Sequence, residues 1–342
     1  MKNISGNSLV IKEVNINLVR KVLKEKGQAT KQQIAQATGL STVTVNTVLI
    51  KLIQQNEAYE IELSSSIGGR RAHQFRYNSN HALALILFPY ENKGEITVHS
   101  TVINLSGECV EEGTVIVNTI DLSVLENIIA ERLSAYQNIK AMGFGLPGAE
   151  NEGKMVVSDY KALLGVSITE YFSKKYNKPV IVENDVNAAV IGYSKRSYAD
   201  DGSTVVYLYF PENYPPGAGI SINGKLHKGK RNFAGEVSNI PLGIPWGDAA
   251  FYSSFDEVCK AIGNIVISVS SIIDPDLVVM HGNFLTPLHS SSIAEICRNR
   301  LPHSVVPEIV ISCDFTQDYL KGMIVKTLET LEPNIALTEI KY

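Results

Sequence analysis

At 342 residues the chain is long enough to bury substantial cores, and its length predicts two or three domains rather than one. Hydrophobic residues make up 44% and charged residues 19%, with a mean hydropathy of +0.03, which excludes both a disordered polyelectrolyte and a membrane-embedded bundle. The net charge of -4 is unevenly placed: residues 1–80 hold 11 Lys+Arg against 5 Asp+Glu, a net of +6, leaving -10 for the rest. A basic module on an acidic body suits binding to a polyanion through one end, because phosphate neutralisation supplies most non-specific affinity for nucleic acid.

Residues 1–10 show no basic segment leading into a long apolar run, and no later apolar stretch reaches the roughly eighteen residues of a membrane span, so a cytoplasmic protein is expected. Over 15–26 the residues Ile16, Val19, Val22 and Leu23 recur at helical spacing, and Gly27 stands where a C-terminal cap would sit. Thr30 with Gln33 three residues on predicts a capping box at the start of a second helix, and Gly39 the tight turn after it. A third helix is predicted over 41–55, with Val45, Val48, Leu49, Leu52 and Ile53 as its apolar stripe. Ser41, Thr42, Thr44, Asn46 and Lys51 fall off that stripe. Short hydroxyl and amide side chains leading such a helix suit base edges and phosphates in a major groove, although each also reads as a solvated helix position, with Ser41 a simple N-cap. Strands over 59–63 and 73–78 then flank Ser64-Ser65-Ser66-Ile67-Gly68-Gly69-Arg70-Arg71, a basic hairpin that reads as a wing, with Arg70 and Arg71 placed for phosphates or a narrow minor groove. Residues 1–80 are therefore expected to be a winged helix-turn-helix that binds double-stranded DNA.

Beyond residue 81 short apolar strands alternate with glycine, proline and helical stretches, an α/β pattern. Strands are predicted over 83–88, 96–104 and 109–117, a helix over 122–136, and a strand over 141–146. A second unit starts at 180 and continues with strands over 205–210 and 219–223, a helix over 255–273 and a strand over 277–280.

Several segments of this body, in order and spacing, carry a resemblance. They are Gly143-Phe144-Gly145-Leu146-Pro147-Gly148, Pro179-Val180 followed by Glu183-Asn184-Asp185-Val186-Asn187-Ala188-Ala189, Gly217-Ala218-Gly219-Ile220, Ala234-Gly235-Glu236 and Asp274-Pro275-Asp276. With the wing, they resemble the ROK family of repressors, open reading frames and kinases across nearly the whole chain. The resemblance implies a winged helix-turn-helix joined to a two-lobed actin-like body of the sugar kinase and ribonuclease H-like class, over 81–342, with lobes of about 81–180 and 181–342. It also implies a regulator of carbohydrate metabolism, a repressor or an activator, working as a homodimer or higher oligomer.

The chain departs from the family's kinases in three places. Where those enzymes hold ATP phosphates on a D-x-G-x-T hairpin, this sequence reads Phe88-Pro89-Tyr90-Glu91-Asn92-Lys93-Gly94, and Glu91 would repel phosphate. The second phosphate turn is Phe210-Pro211-Glu212-Asn213-Tyr214-Pro215-Pro216, where three prolines remove amide donors. The family's zinc site is missing its ligands: Asn239 stands at the histidine position and no cysteine lies between it and Cys259. Cys109, Cys259, Cys297 and Cys313 are scattered without a C-x-x-C pair and read as reduced thiols. The segment 240–256 is short for the family, so the second lobe is expected to be reduced. No cofactor, no metal and no phosphoryl transfer are expected.

What remains is part of the sugar site. The resemblance assigns Asn184, Asp185 and Glu236 to sugar contacts, with Asn239 beside them, and so implies a sugar effector. The same residues also read as local structure, with Asp185 as a helix N-cap and Glu236 in a surface hydrogen bond. Lys225, Lys228, Lys230 and Arg231 lie near Glu236 in sequence and leave a sugar phosphate open. Two other readings stand beside the sugar-sensing regulator: a sugar kinase with a fused regulator, and a regulator whose body serves only to oligomerise.

Overall fold

The computed structural model describes residues 4–62, 73–92, 94–151, 153–196, 202–211 and 214–332. Its N-terminal module is three helices and a small sheet. α1 (Ile4–Lys26) begins well before the predicted residue 15 and buries Ile16, Val19 and Leu23. β1 (Gln28–Thr30) follows, and α2 (Lys31–Thr38) starts on the predicted capping box: Gln33 N donates to Thr30 Oγ1 at 3.2 Å and Thr30 N donates to Gln33 Oε1 at 2.9 Å. Gly39 closes α2 in the left-handed region at φ 71, and its amide donates to the Ala35 carbonyl.

α3 (Thr42–Gln54) is capped by Ser41, whose Oγ accepts from Thr44 N at 3.1 Å. Its residues Val45, Val48, Leu49 and Leu52 pack on Ile34, Leu23 and Phe75. β2 (Ala58–Glu62) and β3 (His73–Tyr77) pair antiparallel, with β1 on the other edge of β3. Arg20 ties α1 to the start of β2: Nε lies 2.6 Å from Glu57 Oε2 and Nη1 donates to Asn17 at 2.6 Å. The segment joining β2 to β3, with Arg70 and Arg71, lies outside the described residues.

The body repeats one sheet twice. The first is β4 (Leu83–Asn92), β5 (Glu95–Asn104), β6 (Cys109–Val117), β7 (Ile139–Gly145) and β10 (Val180–Glu183). Their spatial order is β10-β7-β4-β5-β6, an antiparallel meander continued by two parallel strands. Between the last two run a hairpin of β8 (Gly148–Asn151) and β9 (Lys154–Ser158) and the helix α5 (Ile168–Tyr176), while α4 (Leu122–Ala135) precedes β7 and α6 (Asp185–Arg196) follows β10. The second sheet is β11 (Val205–Tyr209), β12 (Gly217–Ile222), β13 (Lys225–Leu226), β14 (Leu277–His281) and β15 (Glu308–Ile311), in the order β13-β12-β11-β14-β15 with the same pattern of directions. Its helices are α7 (Phe255–Ile273), α8 (Pro287–Arg298) and α9 (Phe315–Glu329). Two lobes of equal topology are the actin-like architecture expected from the sequence.

α6 and α9 occupy equivalent positions after the last strand of each lobe and share one core between the two sheets. Ala84, Ile86 and Ala141 of the first sheet and Val205, Tyr207 and Val279 of the second meet there with Val190 of α6 and Phe315 and Met323 of α9. Two glycines let the helices touch: a Cβ at Gly192 would lie 1.9 Å from the Asp318 carbonyl oxygen, and one at Gly322 would lie 1.8 Å from that of Ala188. Asp318 is fully buried in this crossing, accepting from Tyr207 Oη at 3.0 Å and Ser312 Oγ at 2.5 Å and paired with Arg196 at 2.8 Å. A buried carboxylate needs such partners, and it clamps β11, α6 and α9 together. The lobes are thus joined through rigid packing, and the space left between them opens beside the N-terminus of α6.

Candidate functional site

Two places in the fold gather the residues singled out by sequence. The first is the outer side of α3. Ser41 and Thr42 are exposed, and Thr44 turns its hydroxyl onto Ser41 at 2.9 Å, which commits both hydroxyls to the cap. Asn46 is half-buried and stands one turn above Thr42. Lys51 lies near the other end, about 13 Å along the axis from Thr42 at 1.5 Å per residue, so it is separate from the first-turn cluster. Sequence reasoning passed over Val43, Thr47 and Ile50: Val43 is 75% exposed, Ile50 is 50% exposed, and with Thr47 they form the outward row at spacings of four and three. The signal was available, because Val43 and Ile50 are out of phase with the buried stripe. An apolar row flanked by Asn46 and Thr42 can meet thymine methyls and base edges in a major groove.

The second place is a cavity of about 390 Å³ between the lobes. It brings together all four residues assigned to the effector site: Asn184, Asp185, Glu236 and Asn239. β10 ends at Glu183, in register with Gly145 of β7, and the chain turns there into α6. Asn184 is the cap of that helix, not Asp185. Its Oδ1 accepts from Val186 N and Asn187 N, both at 3.0 Å, and its Nδ2 donates to the Gly148 carbonyl at 3.0 Å. Most of the hydrogen-bonding capacity of Asn184 is therefore spent on local structure. Asp185 occupies the first turn, where one carboxylate oxygen accepts from its neighbour's amide at 2.9 Å and the group faces the cavity. Glu236 precedes a 3-10 turn, makes no capping bond and lines the same space.

Sequence reasoning missed the other half of the wall. Glu91, at the end of β4, accepts from Tyr214 at 3.1 Å. Asp159 follows β9. Tyr319 reaches over from α9, and its hydroxyl is held above Gly145, where a Cβ would lie 2.3 Å away. Tyr209 and Phe315 stack in parallel, with centroids 3.9 Å apart, on another side. Of the basic residues near Glu236, Lys228 is taken by buried Glu183 at 2.7 Å, and Lys225, Lys230 and Arg231 are exposed outside the lining.

The cavity is consequently acidic. Burial, then the charges of Glu91 and Glu236, push the Asp159 carboxyl up to about 6. Burial, then Asp159, push Asp185 up to about 7, against the backbone hydrogen bonds that favour its ionised form. Burial raises Glu236 as well. Among the described residues no group of three His, Cys, Asp or Glu side chains is arranged to hold a metal ion, and no helix is long and apolar enough to cross a membrane.

Residues 93–249 match the family model described as ROK family. The chain is 23% identical over 272 residues to the xylose repressor of Caldicellulosiruptor bescii, a match over 76% of this chain and 64% of that protein, so it spans just under two thirds of that relative's length. It is 22% identical over 307 residues to the DNA-binding transcriptional dual regulator NagC of Escherichia coli, covering 86% of this chain and 72% of NagC. Among solved structures it is similar to a ROK family transcriptional regulator, a homolog of the E. coli MLC protein, with a TM-score of 0.69 at 18% identity over 94% of this chain and 98% of the other. The body alone is similar to a ROK hexokinase from Thermus thermophilus, with a TM-score of 0.58 at 17% identity over 73% of this chain and 98% of that enzyme. The fold, the order of the motifs and the family match agree on a ROK family domain, matched by the family model over residues 93–249, behind a module of three helices and a small antiparallel sheet.

Proposed function

We propose that the chain is a cytoplasmic, sequence-specific DNA-binding regulator of sugar metabolism, acting as a repressor in the manner the name of its xylose repressor relative describes. The observation that carries this reading is the presentation of α3: its N-terminal turn and the row Val43, Thr47 and Ile50, flanked by half-buried Asn46, face outward from a packed three-helix module of net charge +6. Arg70 and Arg71 of the wing supply phosphate contacts, while Thr42, Asn46 and Thr47 discriminate bases, with Ser41 and Thr44 holding the helix start. One such module covers a half-site, so the body pairs two chains as a homodimer.

The body senses a small sugar-like effector and does not phosphorylate it. Asp185 and Glu236 offer the acceptors a polyol requires, but Glu91 and Asp159 stand in the same cavity and oppose a polyphosphate. Titration of operator DNA with wild type and with Arg70→Ala plus Arg71→Ala tests the DNA half. Weaker binding and a flatter salt dependence are expected for the variant, and equal affinity would reject the wing. ATP turnover above background with a monosaccharide panel would reject the non-catalytic body.

A further inference from the structure

The charges around the inter-lobe cavity specify more than a sugar. Four carboxylates line it, from four separate elements: Glu91 from β4, Asp159 after β9, Asp185 from α6 and Glu236 before the 3-10 turn. Among the described residues no Lys, Arg or His is in the lining, and the nearest lysine, Lys228, is already neutralised by Glu183. Burial raises the carboxyls of Asp159 and Asp185, and repulsion from neighbouring acids raises them further: Glu91 and Glu236 act on Asp159, and Asp159 and Glu236 act on Asp185. An uncharged hexose leaves that repulsion in place; a positive charge on the ligand removes it.

An independent observation concerns Tyr319. It is 1% exposed, it lines the cavity, and its hydroxyl has no hydrogen-bond partner. A buried hydroxyl left unpaired costs roughly 1–3 kcal/mol, and a ligand that hydrogen-bonds it recovers that loss. The aromatic faces of Tyr209 and Phe315, with Tyr90 and Tyr214 beside them, add rings that attract an ammonium group and pack against the C–H face of a pyranose. The volume of about 390 Å³ admits a monosaccharide-sized molecule.

We propose that the effector is a small polyhydroxylated amine in its ammonium form, of the class of the unacetylated 2-amino-2-deoxyhexoses, bound with its nitrogen between Asp159, Asp185 and Glu236. This rests on the reading of the cavity as an effector site and narrows it to one charge. Binding draws protons off the carboxylates, so it weakens at acid pH, where Asp159 and Asp185 are protonated. Tyr160, Tyr214 and Tyr319 also face the cavity, and burial pushes their hydroxyls up, so they stay neutral across this range.

The test is calorimetry of the full-length protein with glucosamine, galactosamine and mannosamine, each beside its parent hexose and its N-acetyl derivative, at pH 5.5 and 7.0. At least one amine is expected to bind at pH 7.0 ten times or more tighter than both neutral counterparts, and roughly tenfold weaker at pH 5.5. Asp185→Asn should remove that preference, and Tyr319→Phe should weaken the amine severalfold, while far-UV circular dichroism and the melting temperature show both variants folded. A neutral hexose or an N-acetyl hexose that binds as tightly as the amine, with affinity lost in Asp185→Asn, would overturn the inference and leave the effector reading intact. No binding by any of the nine sugars to a protein that still binds its operator would overturn both. Amine binding that Asp185→Asn leaves unchanged would move the site elsewhere and overturn the inference as well.

Discussion

Replacing Gly192 with Ala sets two effects of known sign against each other. Alanine favours a helix interior over glycine by about 1 kcal/mol, so on an exposed surface the substitution would stabilise. Here the new Cβ lies 1.9 Å from the Asp318 carbonyl oxygen and 2.6 Å from Gly322 N, both backbone atoms of α9. A carbon needs about 3.3 Å from a carbonyl oxygen, so the helices must part by roughly 1.4 Å at the crossing. A gap of that size forfeits more than roughly half the contact energy of the facing atoms, and it falls in the core shared by both lobes, on Ala188, Val190 and Met323. Overpacking of this kind costs about 1–3 kcal/mol or more, and with an immobile backbone on the far side the upper end applies. The expected net loss is about 2 kcal/mol after the propensity gain. Urea denaturation followed by far-UV circular dichroism reads it as a lowered midpoint. Gly322→Ala should behave alike, since its Cβ would lie 1.8 Å from the Ala188 carbonyl oxygen, and the double variant should cost less than the sum because the helices part only once. A midpoint equal to or above wild type for Gly192→Ala would refute the close crossing.

Three further outcomes follow from individual polar side chains. Asp185 is raised from 3.8 to about 7, so the native state binds the extra proton, and stability should fall as pH rises from about 4 to about 7. At 1.36 kcal/mol for each pKa unit the upper bound is about 4 kcal/mol, and Asp185→Asn should flatten the pH dependence of the urea midpoint and exceed wild type above pH 7. Asn184→Ala removes the cap of α6 and its tie to Gly148, and should cost about 1–2 kcal/mol, with Asn184→Asp keeping most of the cap, read as melting temperatures. Glu57→Ala leaves Arg20 half-buried beside an empty place, and should cost about 2–4 kcal/mol where Glu57→Gln costs less, read from the same unfolding transition.

Much of this structure was legible because local chemistry and tertiary packing agree. The Thr30 and Gln33 box, Gly39 and the stripe from Val45 to Leu52 are each set within a few residues, and the structure keeps them. The meander from β4 to β6 was legible through apolar runs broken by turns, but β4 runs on to Asn92 because its ladder with β5 carries through Pro89. The start of α1 was not legible: Leu9, Val10 and Ile11 are exposed there, so residues before 15 show no one-sided pattern. Capping at residue 184 rather than 185 depends on where β10 ends against β7, a register that no spacing of residues discloses. Asp185 and Glu236 were recognised through motifs, whereas Asp159 and Tyr319 share their cavity only because β9 and α9 return to it from distant parts of the chain. Val43 and Ile50 lie off the predicted apolar stripe and were not singled out, although helical phase alone places them outside.

Selection from randomised duplex DNA with the full-length protein tests the central claim most directly, followed by titration of the best sequence at several salt concentrations. The account predicts enrichment of a defined site, loss of discrimination at individual base pairs in Asn46→Ala and Thr47→Ala, and a salt slope reduced by about 2 when Arg70 and Arg71 are both replaced by alanine. No enrichment over the starting pool, or a site bound equally well by all these variants, would contradict it.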